Sequence, residues 1–158
     1  MRVREAQWRD LAAMAQLEAR CFPEDAWTEG SFWSELAQRP RRTYWVALEE
    51  DDPAALVGYA GLDVTGEVAD VMTIAVDPGR RGTGLGGRLL SLLHERAARA
   101  GATAMMLEVR ADNDAARQLY TRQGYAVVHT RPGYYRSAGP TGAPAVDALV
   151  MRKELVEP

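Results

Sequence analysis

A glycine-rich segment with two adjacent arginines, residues 77–87 (DPGRRGTGLGG), carries the residue types in this sequence that most clearly indicate a chemical role. A strand-like apolar run, residues 72–76, precedes it, and a helix-like run begins at Leu85. Glycine lets the backbone approach a ligand closely, and the first turn of a helix offers unpaired N–H groups and a partial positive charge. The segment therefore predicts a binding site for phosphate or pyrophosphate.

Other interpretations of this glycine-rich segment differ in the ligand. A P-loop would end in Gly-Lys-Ser/Thr, whereas residues 86–88 here are Gly-Gly-Arg, which excludes a P-loop. Gly82, Gly84 and Gly87 match a dinucleotide fingerprint, with Glu108 at a suitable distance, but residues 77–81 separate these glycines from the strand. A connection without a ligand is the remaining alternative, and the two arginines beside the glycines disfavour it.

One carboxylate, Glu108, interrupts a strand-like apolar run that contains Met105, Met106, Leu107 and Val109. Such a side chain is either the ion partner of Arg110 or another arginine, or a general base whose pKa is raised by apolar surroundings. The pattern alone leaves both interpretations open.

Asn113 and Tyr120 are seven residues apart and share one face of a predicted helix over residues 113–123. Asn113 is suited to cap this helix, and a capping asparagine can still contact a ligand. Tyr120 fits either packing between the helix and the sheet or a role for its hydroxyl group.

The elements that position these residues follow from hydrophobic period and turn signals. Asp10 is predicted to cap a first helix that ends before Pro23, and Thr28 a second helix that ends before Pro40. A long helix is predicted over 85–100, and a loop over 132–144. Strands are predicted at 2–4, 43–48, 56–64, 68–76, 103–109, 125–130 and 146–151. This order predicts one α+β domain over residues 1–158, with a largely antiparallel sheet and a parallel pair around the long helix.

Charge is unevenly distributed along the chain, although the net charge is only −3. Residues 1–75 hold seven arginines and fourteen acidic residues, and residues 76–136 hold ten arginines and five acidic residues. The basic part suits an anionic cofactor, and the acidic part suits either a cationic partner or plain solvation.

The sequence contains no basic stripe with interleaved aromatic residues, so nucleic-acid binding is not predicted. Neither a membrane span nor a signal peptide is evident, so a cytoplasmic location is expected. The single cysteine and two distant histidines predict no metal site.

Residues 81–86, Arg-Gly-Thr-Gly-Leu-Gly, resemble the Gln/Arg-x-x-Gly-x-Gly/Ala signature of the GCN5-related N-acetyltransferases (GNAT). The predicted element order is similar to that family's, which implies the GNAT fold, with about seven strands and four helices. In the family this loop cradles the pyrophosphate of acetyl-CoA, and the preceding strand binds the pantetheine arm. The resemblance thus implies acetyl-CoA as co-substrate, with contacts from Ile74, Ala75, Val76, Arg81, Gly82, Thr83, Gly84, Leu85, Gly86, Gly87, Asn113 and Tyr120.

Two further motifs are more specific. Residues 107–116 resemble the L-E-V-R-x-x-N-x-x-A motif of ribosomal-protein and N-terminal acetyltransferases, and residues 116–125 resemble their A-x-x-L-Y-x-x-x-G-F/Y motif. The resemblance implies that Glu108 is the general base and that Tyr120, beside the thioester sulfur, is the general acid. It also implies direct attack of an amine in a ternary complex, without an acetyl-enzyme.

The acceptor is implied by residues 131–135 (RPGYY) and 147–151 (DALVM), which resemble the R-x-x-Y-Y…D-A-x-x-M ending of protein N-terminal acetyltransferases. Residues 23–28 resemble the loop that forms the opposite wall in those enzymes, with Ala26 replacing the usual proline. The resemblance implies Trp27, Glu108, Tyr134 and Tyr135 as acceptor-binding residues. It also implies the N-terminal amine, on alanine, of a ribosomal protein as acceptor. A small-molecule amine or lysine acetyltransferase, or a non-catalytic acyl-CoA-binding subunit, is the alternative function.

Overall fold

The computed structural model describes residues 1–135 and 144–155, which form seven strands and four α-helices. The strands are β1 (Arg2–Glu5), β2 (Arg42–Leu48), β3 (Leu56–Val64), β4 (Val68–Val76), β5 (Ala104–Arg110), β6 (Ala126–Tyr135) and β7 (Val146–Glu154). The helices are α1 (Leu11–Cys21), α2 (Glu29–Leu36), α3 (Leu85–Arg99) and α4 (Asp114–Arg122). The element order matches the prediction from sequence.

All seven strands form one sheet in the order β1-β2-β3-β4-β5-β7-β6. Every neighbouring pair is antiparallel except β4 and β5, which are parallel and are connected through α3. The predicted mostly antiparallel α+β sheet, with a parallel pair around the long helix, is therefore confirmed.

Each face of the sheet carries its own apolar core. Helix α3 packs on β3 and β4 through side chains at helical spacing that are buried: Leu85, Leu89, Leu90, Leu93 and Ala97. Burial of each leucine stabilises the fold by about 1.5–3 kcal/mol. On the other face, α1 and α2 enclose a second core that includes Met14, Leu17, Phe32 and Tyr59.

Strands β4 and β5 separate towards their C-terminal ends. They pair only from Val68 to Asp70 on β4, against Ala104 to Met106 on β5. Leu62 of β3 pairs with Val71, but Gly61 pairs with Thr73, so Met72 is an extra residue that forms a β-bulge. Bulges bend and twist a strand, and this one lies where β4 leaves β5. The separation opens a cleft between the two strands.

Strand β6 is longer than the sequence predicted. The loop expected from Pro132 is strand as far as Tyr135, because β6 is an edge strand and its register shifts between Arg131 and Tyr135. An edge strand tolerates a proline, since its outward side needs no N–H donor. Residues 136–143, which hold the rest of the predicted loop, lie outside the described residues.

Asp10 occupies the position before α1 but does not cap it. Its carboxylate instead accepts a hydrogen bond from the Gln7 N–H at 2.7 Å and pairs with Arg4 at 2.7 Å. The Thr28 cap of α2 does form, and its hydroxyl oxygen accepts the Ser31 N–H at 3.2 Å. Asp10 therefore stabilises a turn between β1 and α1 rather than the helix end.

Candidate active site

The cleft between β4 and β5 has a volume of about 1120 Å³ and is bounded by the ends of α1 and β4, the start of α3, and α4. It brings together nearly all of the cofactor positions inferred from the sequence: Ile74, Ala75, Val76, Arg81, Gly82, Gly84, Leu85, Gly86, Gly87, Asn113 and Tyr120. Thr83 is not among the lining residues, because its hydroxyl donates to the Arg80 carbonyl at 2.6 Å.

One end of the cleft is suited to an anion. Gly84 is the residue before α3; it adopts a left-handed conformation with φ of +84° and gives the helix no side-chain cap. The first N–H groups of α3 therefore remain as donors, and the helix dipole adds positive charge. A Cβ at Gly82 or Gly84 would meet no atom of the described chain within 4 Å, so these glycines border open space. This geometry fits a pyrophosphate group.

The middle of the cleft exposes the edge of β4. Residues Ile74 to Val76 pair with β3 on one side, but within the described residues no strand pairs with them on the side that faces β5. The thiol of Cys21, a half-buried residue at the end of α1, donates to the Val76 carbonyl at 3.4 Å. Backbone groups on the open edge can therefore bind an amide-bearing chain such as pantetheine.

Tyr120 lies on α4, lines the cleft and is only 6% exposed. Its ring packs against Tyr125, with ring centroids 5.9 Å apart. Burial raises the pKa of the Tyr120 hydroxyl, and the nearby Tyr135 raises it further. A tyrosine is protonated at neutral pH even at its usual pKa of about 10, so this hydroxyl carries its proton in the cleft.

Asn113 precedes α4, and its side-chain oxygen accepts the Ala116 N–H at 3.2 Å. The capping interpretation from the sequence is therefore correct. Asn113 also lines the cleft, so the cap and a ligand contact are compatible at this position.

Of the two environments that the sequence left open for Glu108, apolar surroundings are not found. Neighbouring residues of a strand face opposite sides of the sheet, so Leu107 and Val109 are buried while Glu108 is exposed. Its carboxylate pairs with Arg131 at 2.9 Å, which fits the alternative of an arginine partner. Glu108 does not line the cleft itself.

A cluster of tyrosines and arginines connects Glu108 with the cleft. Tyr134 and Tyr135 are in edge-to-face contact at 5.2 Å, and the guanidinium of Arg131 lies 3.9 Å from the ring centre of Tyr134. Arg110 lies 5.1 Å from the ring centre of Tyr135 and lines the cleft. Burial raises the pKa of Tyr135, and the charge of Glu108 adds to this effect. Tyr135 thus lies near both Glu108 and Tyr120.

Both arginines of this cluster were missed as site residues, although each lies within a motif quoted above. Trp27 is half-buried and packs on Phe32, with ring centroids 5.6 Å apart, instead of lining the cleft. In this structure the Trp27 ring therefore packs within the core between α1 and α2. Its neighbours from Phe22 to Asp25 do line the cleft.

No helix among the described residues is long and apolar enough to cross a membrane. In residues 1–135 and 144–155, no group of three or more histidine, cysteine, aspartate or glutamate side chains is arranged to hold a metal ion.

Comparison with known proteins agrees with this geometry. A sequence profile of the acetyltransferase (GNAT) family matches residues 11–125. The N-alpha-acetyltransferase RimI of Mycobacterium tuberculosis is 40% identical over 154 residues, covering 94% of this chain and 89% of that protein. An uncharacterized protein of Mycobacterium leprae is 39% identical over 150 residues, which cover 92% of this chain but 38% of that longer protein.

Solved structures give the same result. The ribosomal-protein-S18-alanine N-acetyltransferase from Escherichia coli superposes with a TM-score of 0.85 and 29% sequence identity. The match covers 99% of this chain and 95% of that one.

Proposed function

Because the chain belongs to the GNAT family and is an N-acetyltransferase of the RimI type, we propose that it acetylates the N-terminal amine of a protein. The acceptor that we propose is the N-terminal alanine of ribosomal protein S18, on which the Escherichia coli relative is named to act. Residues 1–158 would act as one catalytic domain. The observation that carries this proposal is the single cleft that joins the uncapped start of α3 to the buried hydroxyl of Tyr120.

GNAT acetyltransferases use acetyl-CoA, which supplies an acetyl group activated as a thioester. We propose that the N–H groups at the start of α3, together with Arg81, hold its pyrophosphate. The open edge of β4 from Ile74 to Val76 would hold the pantetheine arm, and Asn113 would contact the cofactor beside α4. Supporting this assignment, these residues line one continuous cleft.

Proton transfers would be divided between two side chains. An N-terminal amine has a pKa of about 7.7–8.0, so part of it is already neutral at physiological pH. Glu108, directly or through a water, would take the proton that the amine loses on attack. Tyr120, which is protonated at neutral pH as any tyrosine with a pKa of about 10 or higher is, would donate a proton towards the departing sulfur. N–H groups of the open β4 edge would stabilise the negative charge on the acetyl oxygen.

The direct test is acetylation of a synthetic peptide that begins with the S18 N-terminal sequence and contains an internal lysine. Mass spectrometry with fragmentation would locate the acetyl group. We expect acetylation on the α-amine only, and an acetyl group on the lysine alone would contradict the proposal.

Replacing Glu108 by glutamine is expected to lower kcat/KM for the peptide by about 10–100-fold at pH 7, which is at or below the lower end of the usual range of about 10²–10⁴-fold for a general base. The loss is moderate because part of the amine is already neutral, and it should shrink as the pH rises above the amine pKa. Stability should change little, since the pair with Arg131 is exposed and exposed ion pairs contribute little to folding. Steady-state rates between pH 6.5 and 9 test this.

Glu154→Gln is the matched control for this experiment. Glu154 is also an exposed strand residue paired with an arginine, Arg152 at 2.6 Å, but it lies opposite Ala104 at the start of β5, whereas Glu108 lies near the other end of β5 beside Arg131. We expect Glu154→Gln to leave kcat/KM unchanged at every pH. An equal loss in both variants would indicate a general charge effect and contradict the role of Glu108.

A further inference from the structure

The loop between α1 and α2, residues 22–28, forms one wall of the cleft. Four consecutive residues, Phe22 to Asp25, line it. The carboxylate of Glu24 lies 3.7 Å from the guanidinium of Arg110, across the cleft on β5. The position of this loop therefore sets the width of the cleft on the side of the tyrosine and arginine cluster.

A single residue, Glu18 of α1, accepts hydrogen bonds from both ends of this loop. Its backbone carbonyl accepts the Phe22 N–H at 2.8 Å, and its side-chain Oε1 accepts the Trp27 N–H at 3.3 Å. Trp27 in turn packs on Phe32 of α2. The loop is thus held at its start by the helix backbone and at its end by one buried side chain.

Burial of the Glu18 carboxylate has an unfavourable free energy. The residue is only 3% exposed, and Oε2 has no hydrogen-bond partner in the described part of the chain. Burial raises the pKa of Glu18 to about 7; the charge of Asp25 raises it further, and the Trp27 N–H opposes the shift. Cys21 and Tyr44 are the other titratable groups near this carboxylate, and its charge raises the pKa of both. An apolar side chain would fill this position without the cost of burying a polar group.

The retained hydrogen bond to Trp27 explains why a buried carboxylate is useful here. We propose that Glu18 is a positioning residue for the acceptor: through Trp27 it fixes the α1–α2 loop as the acceptor wall of the cleft. This inference rests on the function proposed above. It assigns to α1 a role in acceptor binding that neither the glycine loop nor the catalytic motifs contain.

Two substitutions separate positioning from stability. Glu18→Met removes the acceptor for the Trp27 N–H but keeps an unbranched side chain of similar size, so it should be at least as heat-stable as the wild type at pH 8. It should nevertheless raise KM for the peptide about tenfold, because misplacement of the wall costs binding. KM for acetyl-CoA should stay within about twofold, since the pyrophosphate site is on α3. Glu18→Gln keeps the acceptor and should restore the wild-type peptide KM.

Met14→Ala is the matched control, because Met14 is fully buried on the same helix and no hydrogen bond joins its side chain to the loop. It should lower the unfolding temperature and leave peptide KM unchanged. The pH dependence of stability is a second measurement. A folded-state pKa of about 7 lies above the unfolded value of about 4.3. The wild type should therefore lose stability relative to Glu18→Gln as pH rises from 5 to 8.

Hydrogen exchange of residues 22–28 gives a readout that needs no acetyl transfer. Faster exchange in Glu18→Met with unchanged peptide KM would overturn the positioning role, and so would unchanged exchange. If the wild type accepts no peptide at all, the proposed function fails, while the exchange data still report whether Glu18 holds the loop.

Discussion

Replacing Tyr120 by phenylalanine is expected to lower kcat by about 10²–10⁴-fold, the usual contribution of a positioned general acid. The ring remains, so its packing against Tyr125 and the wall of the cleft are preserved. Only the hydroxyl that would protonate the departing sulfur is lost. KM for acetyl-CoA should therefore change by no more than about twofold, since binding is the same in the ground state. Steady-state kinetics with varied acetyl-CoA measure both quantities.

Tyr125→Phe is the control for this substitution. Tyr125 is also buried, and its hydroxyl hydrogen-bonds to His94 Nε2 at 3.0 Å, but it does not line the cleft. Removing that hydroxyl should cost about 0.5–1.5 kcal/mol of stability and leave kcat unchanged. Equal kcat values for Tyr120→Phe and the wild type would contradict the proposed role of Tyr120 as general acid.

Replacing Gly84 by valine is expected to weaken acetyl-CoA binding by at least about 100-fold, which corresponds to losing two charge-assisted hydrogen bonds of about 1.5–3 kcal/mol each. Gly84 has φ of +84°, and its missing side chain borders the open space before α3. A branched side chain there would occupy the place of the pyrophosphate and strain the loop. The strain of about 1–2 kcal/mol is small against a typical stability of about 5–15 kcal/mol, so the protein should still fold. Isothermal titration with acetyl-CoA measures the change.

Gly101→Val tests whether backbone strain alone explains the loss. Gly101 follows the C-terminal end of α3, has φ of +93° and, like Gly84, borders open space, but it lies outside the cleft. We expect a similar loss of stability and normal acetyl-CoA binding. If both variants bind acetyl-CoA as the wild type does, the pyrophosphate does not lie at the start of α3.

Local signals predicted most of the fold and of the glycine-rich end of the cleft. The glycine-rich loop and the apolar spacing of α3 are short-range features, and both appear where the sequence placed them. The capping role of Asn113 could also be predicted from the sequence, because a helix cap depends on residues only a few positions away. The parallel pairing of β4 with β5 followed from the long helix between them.

Features that depend on distant partners were not predictable in the same way. The bulge at Met72 and the extension of β6 through Pro132 arise from pairing with β3 and β7. The sequence left open whether Glu108 has an arginine partner or apolar surroundings, because its partner, Arg131, lies on another strand. The two-residue period of a strand puts Glu108 on the face opposite its apolar neighbours. The hydrogen bond from the Trp27 N–H to Glu18 joins residues nine positions apart and left no sequence motif.

Release of CoA in the presence of three acceptors distinguishes acetylation of a protein N-terminus from acetylation of other amines. The first is a peptide that begins Ala-Arg, the second a peptide with a blocked N-terminus and an internal lysine, and the third a polyamine. We expect acetyl-CoA-dependent turnover with the free N-terminus only. Turnover confined to the lysine peptide or the polyamine would contradict protein N-terminal acetylation, and tight acetyl-CoA binding without any turnover would contradict catalysis.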